Sequence, residues 1–291
     1  MAIYKEFDIQ PQNSAESGDV ITNIKDIVSS GMWAEGAASI TTFFTSSVQS
    51  GSSGDYYADV YASNPASDTQ AKPQFSIAYG HFNGSGSLGR MGITGNRASA
   101  AIYRQLSQTL LGPGEDQFTF AGTGTNITPK YVYAISVSRQ QLREKMDPGN
   151  WELHLSGSGP LLGANNTIKL IDDSGATTNP EVNQGGRVFN IVSGSIATGV
   201  ADIKTAATAQ PGGAYGLFYP EIGTLILNAN RIESQITKIG TKTSLIGSGS
   251  NSDGGNNDAF YETIKGGQFF QAKREETIAS RHFFIRATAN R

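Results

Sequence analysis

Period-two alternation, cut at short intervals by glycine, is the feature that most limits what this chain can fold into. In QFSIAYGHF, Phe75, Ile77 and Tyr79 fall on one side of an extended chain. In WELHL, Trp151, Leu153 and Leu155 do the same, with Glu152 and His154 pointing outward. Such segments build sheets with an apolar face. Glycine, at 35 of 291 residues, supplies turns between them, together with abundant Ser, Thr and Asn. Charged residues make up only 16% of the chain, below the roughly 25% of an average soluble domain. These proportions argue against a helical bundle. They predict an α+β fold that is β-rich, with antiparallel sheet, a few short helices and Gly-rich loops.

Along the chain, GDVITNIKDIVSSG breaks the alternation. Val20, Ile24, Ile27 and Val28 recur at helical spacing, and Gly31 is placed to end a helix. SITTFFTSS predicts a strand. DYYADVYAS predicts another, separating Asp55, Tyr57, Asp59 and Tyr61 from Tyr56, Ala58 and Val60. NRASAAIYRQLSQTLLGPG predicts a helix with Ile102, Leu106 and Leu110 as its buried stripe. Ser138 and Gln141 fit a capping box, Leu142 and Met146 a short apolar stripe, and Asp147-Pro148-Gly149-Asn150 a type II turn. NTIKLIDDSG and RVFNIVSGSI predict strands, and YGLFYPEIGTLILNANRI a hairpin closed by Pro220-Glu221-Ile222-Gly223. Asn230 and Glu233 then suit the cap of a helix carrying Ile232, Ile236 and Ile239 and ending at Gly240. A turn of helix near Phe260 to Ile264 and two strands, GQFFQAKREE and SRHFFIRATA, complete the chain. The expected organisation is an extended arm over residues 1–18, a main α+β domain over 19–245, a flexible loop over 246–258, and C-terminal strands over 259–291 that pack on the main domain.

Charge and composition narrow the function classes. A net charge of -3 argues against nucleic acid, because phosphate binding needs concentrated Lys and Arg. No stretch approaches the roughly 20 apolar residues that span a bilayer, and the N-terminus lacks the pattern of a signal peptide. A soluble protein made in a cytoplasm, with no membrane partner, is expected. Cysteine is absent, which removes disulfides, thiolate nucleophiles and cysteine-ligated zinc.

Motifs with chemical meaning are few. GSGSLG, from Gly84 to Gly89, has dinucleotide-fingerprint spacing, but the helical pattern starts only near Arg97, too late to meet a pyrophosphate. His81, His154 and His282 lie far apart in strand-like segments, where ordinary partners are expected. Asp172 and Asp173 precede Ser-Gly at a strand end and are expected to build a turn. NSDGGNND is rich in oxygen ligands but has no EF-hand spacing. No catalytic residue, cofactor or metal site is predicted, and no enzyme activity. The outward face of Asp55, Tyr57, Asp59 and Tyr61 remains as a candidate interface or glycan-binding face, since Tyr offers contact area and a hydrogen bond at low entropy cost.

Six stretches carry a resemblance: FFTSSVQSGSSGDYYADVYASNP, QFSIAYGHFNGSGSLG, REKMDPGNWELHLSG, IKLIDDSG, YGLFYPEIGTLILNANRI and FQAKREETIASRHFFIRATANR. Together they resemble virion structural proteins of contractile-tailed bacteriophages, of the T-even-like type found in marine and cyanobacterial phages. The resemblance implies a tail or baseplate component that assembles with other virion structural proteins and with copies of itself. It implies location in the virion after assembly in the bacterial host cytoplasm, and it carries no functional residues over. Relatives are expected to continue past the final strand into a further Asn-rich, β-rich segment.

Overall fold

The computed structural model describes residues 20–46, 57–84, 98–158, 167–177, 179–196, 213–236, 245 and 255–284. The 1–18 arm, Asp55, and most of the 246–258 segment lie outside them. The strands in the first half of the chain are β1 (Val20–Gly31), β2 (Ser39–Ile40), β3 (Phe44–Thr45), β4 (Tyr57–Tyr61), β5 (Pro73–His81) and β6 (Tyr131–Val137). Those in the second are β7 (Lys145–Ser156), β8 (Thr167–Asp172), β9 (Glu181–Asn183), β10 (Gly186–Ser193), β11 (Gly216–Tyr219), β12 (Thr224–Asn228) and β13 (Phe270–Phe284). The α-helices are α1 (Ala98–Leu110), α2 (Arg139–Leu142), α3 (Ala229–Glu233) and α4 (Gly255–Gly267).

Among the described residues, thirteen strands join one antiparallel sheet, in the order β1-β13-β7-β8-β10-β11-β12-β6-β5-β4-β3, with β2 added to β13 and β9 to β10. The fold is therefore the expected β-rich α+β class, its sheet a curled half-barrel. The curl is measurable in one contact. Phe75 on β5 and Phe270 on β13, separated by six strands in the sheet order, meet edge to face at 5.4 Å.

Alternation sorts the two faces. Phe75, Ile77, Tyr133, Ile135, Leu153, Leu155, Leu225 and Leu227 point into the inner core with Ile232 of α3 and Phe260 and Ile264 of α4. Phe260 stacks on Tyr133 at 4.2 Å, and the Tyr133 hydroxyl reaches the Leu245 carbonyl at 2.6 Å. Val132, Ala134, Ile226 and Tyr219 point to the other face, under Tyr103 and Leu110 of α1. Helices thus cover both faces of the sheet.

Several local expectations are corrected. The 20–31 segment is a strand and not a helix: β1 pairs with β13 over its whole length, from Val20↔Phe284 to Gly31↔Lys273. Val20, Ile21, Thr22, Ile24, Ile27 and Val28 are all β-branched, stiff at χ1 and suited to a pleated surface. From Phe270 to Phe284 the chain is one continuous strand, and this long partner decides the conformation of β1. Among its described residues, 39–46, SITTFFTSS forms the two-residue strands β2 and β3. Residues Gly255 to Asp258, expected in the 246–258 loop, open α4.

Helix α1 buries Ser99, Ala100, Tyr103, Ser107 and Leu110, leaving Ile102 and Leu106 half-buried on its rim. The stripe is shifted because the helix crosses β5 closely at Gly80, where a Cβ would lie 3.2 Å from the Tyr103 backbone. Gly80 permits that approach because it has no Cβ. Ser138 precedes α2 without a side-chain cap, so the capping box is not made. Met146, expected on the helix, sits on β7. Asn228, and not Asn230, caps α3, accepting the Arg231 N–H at 3.2 Å.

The Asp147–Asn150 stretch reverses nothing. It bulges out of β7 between the rungs Met146↔Arg274 and Trp151↔Ala272. Gly149 supplies the positive torsion, φ 78, and its N–H is held by Asp172 Oδ2 at 2.8 Å.

Candidate interaction surfaces

On β4 the predicted alternation holds. Ala58 and Val60 are buried, Tyr57 is 48% exposed, and Asp59 and Tyr61 are half-buried on the outward side. Asp59 is already engaged, since the Ser76 hydroxyl of the neighbouring strand donates to its Oδ1. Burial pushes the Tyr61 phenol up, and the Asp59 charge adds to this.

Beside Tyr57 the register builds a floor of small side chains. Asp59, Ser76, Ser136 and Thr224 stand opposite one another across β4, β5, β6 and β12, next to the row Tyr57, Ala78, Ala134. Ser136 and Thr224 hydroxyls lie 3.4 Å apart. Over this floor, Ile102, Gln105, Leu106 and Thr109 of α1 form the opposite wall, enclosing a chiefly apolar cleft of about 330 Å³. The sequence placed Tyr57 on an outward face but gave no signal that α1 would stand beside it.

The histidines sit in three different strands, as expected. His81 Nδ1 accepts the Asn83 N–H at 3.0 Å and the ring stacks on Tyr131. Burial, with the Lys130 charge, pushes this imidazole's pKa down. His282 lies 3.2 Å from the Ser280 hydroxyl. His154 Nε2 contacts Glu152 Oε1 at 2.5 Å.

Glu152 is a correction, being 4% exposed where alternation placed it in solvent. The segment after β10 folds over it, and its Oε2 accepts the Ser195 hydroxyl at 2.9 Å and the Ile196 N–H at 2.8 Å. Ser, Glu and His are thus together, but with the carboxylate in the middle. A nucleophilic triad needs the imidazole between hydroxyl and carboxylate. Burial pushes the Glu152 carboxyl up, yet the hydrogen bonds from His154, Ile196 and Ser195 outweigh it and hold the pKa below the usual value. A carboxylate so stabilised is a weak base, and the cluster fastens the covering segment to β7.

Asp172 and Asp173 are likewise structural ties. Asp172 Oδ1 accepts the Ser174 N–H at 3.0 Å in the expected turn, while Asp173 accepts the Asn190 backbone and side-chain N–H groups at 2.8 and 2.9 Å. Burial pushes the Asp172 carboxyl up, partly offset by hydrogen bonds from Ser174 and Gly149. Among the described residues, no three acidic or histidine side chains gather to hold a metal.

A second surface lies at the sheet's edge. β13 leaves β7 after Glu275↔Lys145, and from Glu276 to Phe284 it runs on with only β1 paired beside it among the described residues. The root of this ribbon is clamped: Arg143 grips Glu276 at 2.7 and 3.0 Å, Lys145 reaches Glu275 at 2.8 Å, and Glu144 accepts the Thr277 N–H at 2.5 Å. At the clamp and beyond it, Ile24, Ile27, Val28 and Ile278 are 39, 70, 41 and 49% exposed. They are four of the seven large hydrophobic residues exposed among those described, so uncovered apolar surface is concentrated here. Sequence reasoning missed the ribbon because it assigned β1 to a helix.

Compared with known proteins, the chain matches no family model, no curated protein and no solved structure.

Proposed function

We propose that this chain is a structural subunit of a bacteriophage virion, in the tail or baseplate of a contractile-tailed phage, acting by protein–protein assembly and not by catalysis. The six stretches that resemble such proteins support the virion role. The observation that carries the assembly role is the ribbon. A two-stranded ribbon is marginal in water by itself, and this one leaves Ile27 70% exposed at a surface of the kind that marks association. Gold-conjugated antibody against the chain, applied to particles of a phage that encodes it, is expected to label the tail tip in regular copy number. Label on the head would keep a structural role and move it to the capsid or neck; unlabelled particles, with antibody competent on the pure protein, would remove the virion role.

The cleft beside Tyr57 favours one other function, a receptor- or glycan-binding tail module, because hydroxyls of Ser76, Ser136 and Thr224 line a floor beside an exposed aromatic ring. Under the assembly role, Tyr57→Ala leaves phage adsorption unchanged and shifts stability by no more than about 0.5 kcal/mol, as for other exposed positions. Loss of adsorption together with loss of affinity for host envelope sugars would favour the binding module.

A further inference from the structure

We propose that the open edge of β1 pairs antiparallel with β1 of a second copy of this chain, about a two-fold axis midway between the two copies of Ile24. The proposal deepens the assembly role by naming its surface. β1 ends the strand order, so among the described residues the side of β1 away from β13 has no strand on it. An edge of this kind, with backbone N–H and C=O groups facing outward, is a template for another strand.

The partner follows from the sequence of the free length. Residues 20–28 read VITNIKDIV, a palindrome in polarity centred on Ile24. Two apolar residues, two polar residues and Ile24 are followed by two polar and two apolar residues. A two-fold axis perpendicular to a sheet leaves every side chain on its own face, so a symmetric antiparallel pair must be centred on a residue.

Centring on Lys25 sets ammonium against ammonium, and centring on Asp26 sets carboxylate against carboxylate. Centring on Ile27 puts Asp26 opposite Val28 and Ile24 opposite Ser30. Centring on Asn23 puts Val20 opposite Asp26 and Ile21 opposite Lys25. Centred on Ile24, Val20 meets Val28, Ile21 meets Ile27, Thr22 meets Asp26 and Asn23 meets Lys25, while Ile24 meets its own copy. No like charges face each other, and every apolar residue faces an apolar one. The Lys25-Asp26 pair, which would repel in two of the other registers, selects this one. Ile278, opposite Asp26 in the existing ribbon, shares a face with Ile24 and Val28, one strand back from the new seam.

The test uses the full chain, whose lack of cysteine makes single substitutions informative. Sedimentation equilibrium of the native protein is expected to show two-copy particles, and Ile24→Lys is expected to raise the dissociation constant by about tenfold or more. Under mild oxidation Ile24→Cys is expected to cross-link to its own copy, because directly opposed Cα atoms lie about 4.5–5.5 Å apart, within disulfide reach. Ile27→Cys is expected not to, since its two copies would be about 20 Å apart along the strands. Two-copy particles that link at Ile27, or at neither position, would overturn the pairing while leaving assembly in place. A monomer at every concentration that links at neither position would also overturn it, and the gold labelling then decides the virion role separately.

Discussion

Replacing Trp33 by alanine is expected to lower the unfolding free energy by about 3–5 kcal/mol, the range for emptying a buried aromatic site. Trp33 has no exposed surface. Its ring lies 4.7 Å from that of Phe270 and 5.9 Å from that of Phe75, and its indole N–H donates to the Phe270 carbonyl at 2.9 Å. These partners sit on β13 and β5, so Trp33 fills the place where the curled sheet meets itself. The next residue strengthens the join, since the Ala34 N–H donates to Gln74 Oε1 at 2.8 Å. Trp33→Phe keeps most of the ring and loses the hydrogen bond, and should cost less, about 0.5–1.5 kcal/mol for the bond beyond the lost ring area. Urea denaturation at neutral pH measures both. A change under about 1 kcal/mol for Trp33→Ala would mean that the two halves of the sheet do not close through this residue.

Glu152→Ala is expected to be the next most damaging of the changes considered. The carboxylate has three partners, and removing it takes the acceptor from the Ile196 N–H and breaks its bonds to Ser195 and His154. Losing the partner of a covered donor costs about 1–3 kcal/mol. Glu152→Gln tests the charge separately. The folded-state pKa of Glu152 is below its ordinary value, so the folded protein holds this proton less tightly than the unfolded chain. The resulting stability is fully present above the ordinary glutamate pKa of about 4.3 and is lost as pH falls through the lower folded value. Asp172 has the opposite sign, because burial raises its pKa and its ionisation weighs against the fold as pH rises. Since Asp172 is common to both proteins, the difference between wild type and Glu152→Gln isolates Glu152. Urea unfolding at a series of pH values from 7 down to 3 should show that difference shrinking at the acid end. A difference that stays constant over the series would show that the carboxylate is not held by charge-assisted hydrogen bonds.

The two Glu152 variants also bear on the Ser195–Glu152–His154 cluster. If its role is to fasten the segment after β10, both substitutions act through stability and through exchange of the amides near Ile196. The geometry supports that role because the carboxylate, and not the imidazole, accepts the Ser195 hydroxyl.

Much of the fold was legible in residue order. β4, β5, β8, β10 and the β11–β12 hairpin followed from alternation and from the Pro220–Gly223 turn, both of which depend on neighbours in sequence. The outward position of Tyr57, Asp59 and Tyr61 followed in the same way. Gly149 was also legible as a positive-φ position, since Pro-Gly carries that demand locally. What surrounds these residues was not legible. The spacing of Val20, Ile24, Ile27 and Val28 is that of a helix, and only a partner strand overrides it; that partner begins more than two hundred residues later, at Phe270. Glu152 looks solvated because alternation reports which way a side chain points and not what folds over it; only the Ser195–Ile196 segment buries it. Likewise, α1 turned a row of small residues into the floor of a cleft by its position over β5. Sequence determined the periods and turns, which arise from local backbone and side-chain sterics. Tertiary structure decided β1, the burial of Glu152 and both surfaces, because each depends on contacts between segments that residue order leaves far apart.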